Sequence, residues 1–230
     1  MRSSPYEKIA SRNLDLTNSA HLEKVLEIAE KMLLDFSTST AIAEFEKVLI
    51  EKKDEHPLMV HLAVKLAKSK RVLLSISKPA HITIVFAVYK EHNRIRTKEE
   101  HPHGENFLLR KIKQLNWLFN DMPNFSWDMT IVDDGDPEKS GEIAQEILAE
   151  KYAGNNVKVL FLEEAIQKGV PVTHPMQSAS ESRKGASIIY GMWDAIQQKK
   201  RNHIVVFTDA DLSTHLGQVG LLIEPFIKNR

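Results

Sequence analysis

The chain has 230 residues, of which 42% are hydrophobic and 27% charged, the balance of a globular protein with enough apolar side chains to bury a core. Lys plus Arg and Asp plus Glu number 31 each, so no net field recruits nucleic acid or an anionic membrane. The absence of cysteine removes disulfides, thiolate catalysis and cysteine-based metal sites together. No stretch approaches about 18 uninterrupted apolar residues and the N-terminus has no signal-type apolar run, which predicts a cytoplasmic protein without a transmembrane segment.

Residues 1–78 read as a small all-α N-terminal extension. Leu22, Val25, Leu26, Ala29, Met32 and Leu33 share one face of a first helix. Ser37 to Thr40 supply breaking and capping hydroxyls. Ile42, Phe45, Val48 and Leu49 mark a second helix. Pro57 opens a third, striped by Met59, Leu62, Ala63 and Leu66. Such a hairpin or bundle serves as a packing extension, or as an arm for a protein partner or an oligomer contact. Lys65, Lys68, Lys70 and Arg71 read as a solvated helix face.

From Pro79 strands and helices alternate. Strands are expected at His81–Val88, Asp128–Asp133, Val157–Leu162 and His203–Phe207. Helices are expected at Gly104–Asn120, Glu138–Lys151, Gly185–Gln198 and Leu216–Ile227. Repeated strand–helix units predict an α/β fold over residues 79–230, a Rossmann-like parallel sheet with helices on both faces. The long stretch 163–182 carries Gly169, Pro171 and Pro175; its part Gly169–Ser182 reads as a mobile lid, and a short helix is also expected at Glu163–Lys168.

Strand carboxyl ends line one edge of such a sheet, and ligands bind in the crevice there. Tyr89 and Glu91 follow the first strand, Asp133-Asp134-Gly135 the second, and Asp209-Ala210-Asp211 the last. Alone, the last pair reads more simply as a cap for the helix at 216–227. Together the segments offer a ring to stack on a base, a carboxylate for a base N–H, and two carboxylates for a metal–diphosphate. No G-x-G-x-x-G, Gly-Lys, H-E-x-x-H or G-x-S-x-G pattern occurs. Without a glycine cradle, Mn²⁺ or Mg²⁺ is expected to carry diphosphate charge, since such ions take one or two carboxylates plus phosphates.

Four blocks, Ile82–Glu91, Ile131–Gly135, Ser182–Ala186 and Val205–Ser213, resemble in order and spacing the nucleotide-binding half of family 2 glycosyltransferases with the GT-A fold. Thr208–Thr214 is most similar to dolichyl-phosphate sugar transferase-like members. The resemblance covers about residues 80–230. It implies a metal-dependent transferase that binds a UDP- or GDP-linked sugar and passes the sugar to an acceptor. It further implies that Tyr89 and Glu91 border the nucleoside, Asp134 contacts the base, and Arg183, Lys184 and Gly185 border the donor. Asp211 is the more direct metal ligand, with Asp209 contributing and lying toward the ribose and sugar beside Ala210. Ala87 stands where family members usually carry Pro. The loop Lys90–His103 is longer than usual, and its His92, His101 and His103 read as an exposed polar loop rather than a metal site. Only Glu224 remains downstream as a carboxylate, in a helix that reads as structural, so no catalytic base is named. The chain is expected to be a truncated form; the alternative is a nucleotide-sugar-binding or scaffold protein without turnover.

Overall fold

The computed structural model describes residues 5–228. Helices α1 (Ser19–Asp35), α2 (Ser39–Glu51) and α3 (Leu58–Leu74) precede strand β1 (Ala80–Val88). There follow α4 (Phe107–Phe119), β2 (Phe125–Asp133), α5 (Ser140–Lys151), β3 (Val157–Phe161), α6 (Leu162–Gln167), α7 (Gly185–Gln197), β4 (His203–Phe207) and α8 (Val219–Lys228). The chain divides into two compact units: Met1–Lys78 with Gln114–Met122 and His215–Arg230, and Pro79–Lys113 with Pro123–Thr214. The helical unit thus takes in two later segments besides the residues up to Lys78. No helix among the described residues is long and apolar enough to cross a membrane.

In the helical unit, Asn18 Oδ1 accepts from the N–H of Ala20 and His21 to start α1, and Thr38 Oγ1 accepts from Ala41 N–H to start α2. Val25, Ile28, Ala29 and Met32 of α1 meet Ile42 and Leu49 of α2 and Met59, Val60, Ala63 and Leu66 of α3 in one fully buried cluster. The basic run on α3 is not a solvated face. Lys65 and Lys68 both pair with buried Glu46. Lys70 reaches Glu30 at 3.1 Å and lies 4.6 Å from the centre of the Trp117 ring. Arg71 donates to the carbonyls of Leu33 and Phe36 at the end of α1. Periodicity alone hides this, because the partners lie far away in sequence.

The second unit is α/β, built on a four-stranded, all-parallel sheet in the order β3-β2-β1-β4. β1 is central and buried at every residue, which is why it reads as a continuous apolar run. Successive side chains alternate between faces. Val85 and Val132 face α7, close enough that a Cβ on Gly191 would lie 2.5 Å and 2.9 Å from their methyls. Phe86 points the other way, its ring 6.2 Å from that of Phe107 on α4. Asp133 and Phe161 also point away from α7, toward Gly141 of α5. Helices therefore cover both faces, the arrangement expected for a Rossmann-like sheet. The stretch after β3 is packed down rather than lid-like. It holds α6, close to the short helix suspected there, and two short 3₁₀ turns. Its Thr173 and Ala179 are buried, and Ala179 joins Val85, Val132 and Leu162 in the core.

Candidate functional site

Strand order reverses between β1 and β4, since the chain runs outward through β2 and β3 and then returns to the other side of β1. The carboxyl ends flanking such a switch point form a crevice. Ala87, Tyr89, Glu91, Asp134, Lys184, Asp209, Ala210 and Asp211 line one cleft of about 180 Å³ there. Of the sequence-predicted residues, only Arg183 and Gly185 are not in its wall; they flank Lys184. The cleft is smaller than the roughly 300–1,000 Å³ of a complete small-molecule pocket.

The wall is tied together by groups that sequence reasoning did not single out. Asp133 accepts from the N–H groups of Gly135, Asp136 and Gly141, fixing both the turn after β2 and the start of α5. Burial holds its carboxyl above the usual aspartate range despite those three donors. Asp136 accepts from the N–H groups of Glu138 and Ser140, from the Ser140 hydroxyl, and from Lys90 N–H at 2.9 Å. Burial opposes ionisation of Asp136, but these donors outweigh it and lower its pKa. Ser140 Oγ in turn accepts from Glu91 N–H at 2.8 Å. The loop after β1 is thereby pinned to the loop after β2.

Asp134 is buried, and its carboxylate holds the turn that precedes α7. One oxygen accepts Lys184 N–H at 2.9 Å and the other the Ser187 hydroxyl. That turn is demanding, with φ of 46° at Arg183 and 74° at Lys184, a region non-glycine residues rarely occupy. Asp134 therefore stabilises the backbone that presents Lys184. The Lys184 ammonium pairs with Asp209. Asp211 Oδ1 accepts both N–H and Oγ–H of Ser213, at 3.0 and 2.6 Å, which holds its carboxyl low. The pair makes no capping bond to the segment beyond; there His215 caps the 3₁₀ turn Leu216–Gln218 that precedes α8, its Nδ1 accepting Gly217 N–H at 3.0 Å.

Beneath the carboxylates sits Lys111, fully buried, whose Nζ donates to the Asp211 carbonyl at 2.8 Å. Burial lowers its pKa to about 8, although the Asp211 and Asp209 charges pull the other way. A signal was present: Lys111 stands four residues after Phe107 and four before Leu115, inside the apolar stripe of α4. In the long loop, Arg94 pairs with both Glu91 and Glu105. Burial, with the nearby Glu105, Asp211 and Asp136 charges, raises the Glu91 carboxyl against the pull of Arg94. The loop histidines stay apart from the cleft lining, and no group of three or more His, Cys, Asp or Glu that could hold a metal occurs among the described residues. Asp209 and Asp211 alone suit a hard cation that completes its oxygen shell with phosphates, not one held entirely by protein.

Comparison with protein-family models, with curated proteins and with solved structures found no match.

Proposed function

We propose that the carboxyl-edge cleft binds a UDP- or GDP-linked sugar with Mn²⁺ or Mg²⁺, as the nucleotide site of a metal-dependent glycosyltransferase of the family 2, GT-A kind. The observation that carries this reading is the meeting of Tyr89, Glu91, Asp134, Lys184, Asp209 and Asp211, from separate segments, in one cleft. Asp211 and Asp209 would hold the cation, which supplies neutralisation of diphosphate charge as the sugar leaves. The half-exposed Tyr89 ring offers a stacking surface for a base. Glu91, paired with Arg94, would accept from ribose hydroxyls. Each oxygen of Asp134 keeps a second lone pair for a base N–H. Lys184 exchanges its partner Asp209 for phosphate oxygen when the diphosphate arrives.

A binder without turnover is the second reading, and one observation favours it. Every carboxylate in the cleft is already engaged: Glu91 by Arg94, Asp134 by Lys184 N–H and Ser187, Asp209 by the Lys184 ammonium, Asp211 by Ser213. None is left as an evident base for an acceptor hydroxyl. Calorimetry with UDP- and GDP-sugars, with and without Mn²⁺, tests the shared premise. Metal-dependent binding lost in Asp211→Asn is expected; absence of binding to either nucleotide sugar refutes both readings. Donor hydrolysis or transfer then separates transferase from binder.

A further inference from the structure

The amino ends of the same strands carry a second polar cluster, at the opposite edge of the sheet. On β1 His81 stands between Ser126 of β2 and His203 of β4 in register, and Thr83 stands beside Asp128. Ser126 and Asp128 are two residues apart, so their side chains share a face. His81 Nδ1 lies 2.7 Å from Ser126 Oγ, and His81 Nε2 lies 3.0 Å from Asp128 Oδ2. The carboxylate needs a donor, so Nε2 carries the proton and Nδ1 is left to accept from the serine hydroxyl. His81 is buried while Ser126 is exposed. Beside them opens a cleft of about 500 Å³, lined by Ser126, His81 and Asp128 together with Asn155, Gln198 and Lys200.

We propose that Ser126, His81 and Asp128 form a nucleophilic relay acting on small carboxylic esters, separate from the carboxyl-edge cleft and independent of the function proposed for it. A nucleophile bonded to a base, and a base oriented by a third group, is the arrangement that acyl transfer requires, whatever the order in sequence. Ser126 Oγ attacks the ester carbonyl carbon and forms the new C–O bond. Its proton passes to His81 Nδ1 and then to the departing alcohol oxygen as the old C–O bond breaks. Water repeats the sequence on the acyl-serine and releases the acid. Asp128 is a positioning residue: it fixes the tautomer and balances the imidazolium. Burial disfavours its charge, but the hydrogen bond from His81 keeps the carboxyl low. The amides of Asn155 and Gln198 and the Lys200 ammonium are the donors available in the cleft for carbonyl oxygen.

The test treats the full chain with a fluorophosphonate, which adds its phosphorus to a nucleophilic serine oxygen with loss of fluoride, and maps the adduct by mass spectrometry. One adduct on Ser126 is expected, absent in Ser126→Ala, a change at an exposed side chain that leaves the fold intact. The stoichiometric burst of p-nitrophenolate from p-nitrophenyl acetate should vanish with it. In His81→Gln the labelling rate should fall by about 10²–10⁴-fold, the contribution of a positioned general base. Should that variant fail to fold, imidazole ¹⁵N shifts of the unmodified chain provide the second measurement. They should show His81 protonated on Nε2, with that preference lost in Asp128→Asn. Labelling of Ser126 no faster than of the exposed Ser180, a burst that survives Ser126→Ala, or an Nδ1-protonated His81 would overturn the proposal.

Discussion

Gly135, next to Asp134 in the wall of the carboxyl-edge cleft, should tolerate no side chain. Its φ is +73°, and a Cβ built there would lie 2.6 Å from Ala179 Cβ. Placing alanine in the left-handed region costs about 1–2 kcal/mol. Forcing a methyl against a buried neighbour costs a further 1–3 kcal/mol or so, because both flanking segments are held. Asp133 fixes the Gly135 N–H, and Ala179 is packed in the core. Gly135→Ala should therefore lose about 2–5 kcal/mol. At a urea slope of about 2–3 kcal/mol/M, that moves the unfolding midpoint by about 0.7–2.5 M. Gly185→Ala is the internal control, since a Cβ there meets nothing within 4 Å and its φ is not positive. Urea titrations followed by circular dichroism would compare the two. A loss below about 0.5 kcal/mol for Gly135→Ala, or equal losses for both, would refute the reasoning.

Lys111→Met, of similar length but without the donor, should leave the Asp211 carbonyl unsatisfied at about 1–3 kcal/mol, partly offset by removing a buried charge; a shift beyond about 3 kcal/mol in urea would mean Lys111 carries more of the fold than this contact. Ser187→Ala removes one of the two donors to Asp134 and should cost about 1–2 kcal/mol while weakening nucleotide-sugar binding less than Asp211→Asn does, read by calorimetry. The folded-state pKa of Asp136 lies below its unfolded value of 3.8, so its contribution is fully present above that value and is lost as pH falls through the folded pKa. Asp136→Asn should flatten the acid limb of the stability–pH curve below about pH 4 and leave its neutral region lowered; an unchanged acid limb would refute the assignment.

Much of this was legible because period and composition report local geometry. The apolar run at His81–Val88 announced a strand buried on both faces, and the polar residues at strand ends gathered at one edge once the sheet was parallel. What escaped was the wiring between distant segments. Asp136 and Ser140 carry no signal of their own in the sequence, yet they bind the backbone of Lys90 and Glu91. The α3 lysines looked solvated because Glu30, Glu46 and Trp117 lie far off in sequence. The row of Ser126, His81 and Asp128 depends on strand register, which no single strand encodes.

The pinning of the Lys90–Glu91 backbone to Asp136 and Ser140 has a thermodynamic consequence. Main-chain amides in connecting loops often open to solvent at little cost in free energy. Here they are committed beforehand, and Asp134 does the same for the turn carrying Lys184. The entropy of shaping the wall is thus spent during folding. A ligand is left to immobilise mainly the exposed side chains of Tyr89 and Lys184, at about 0.5–1.5 kcal/mol each.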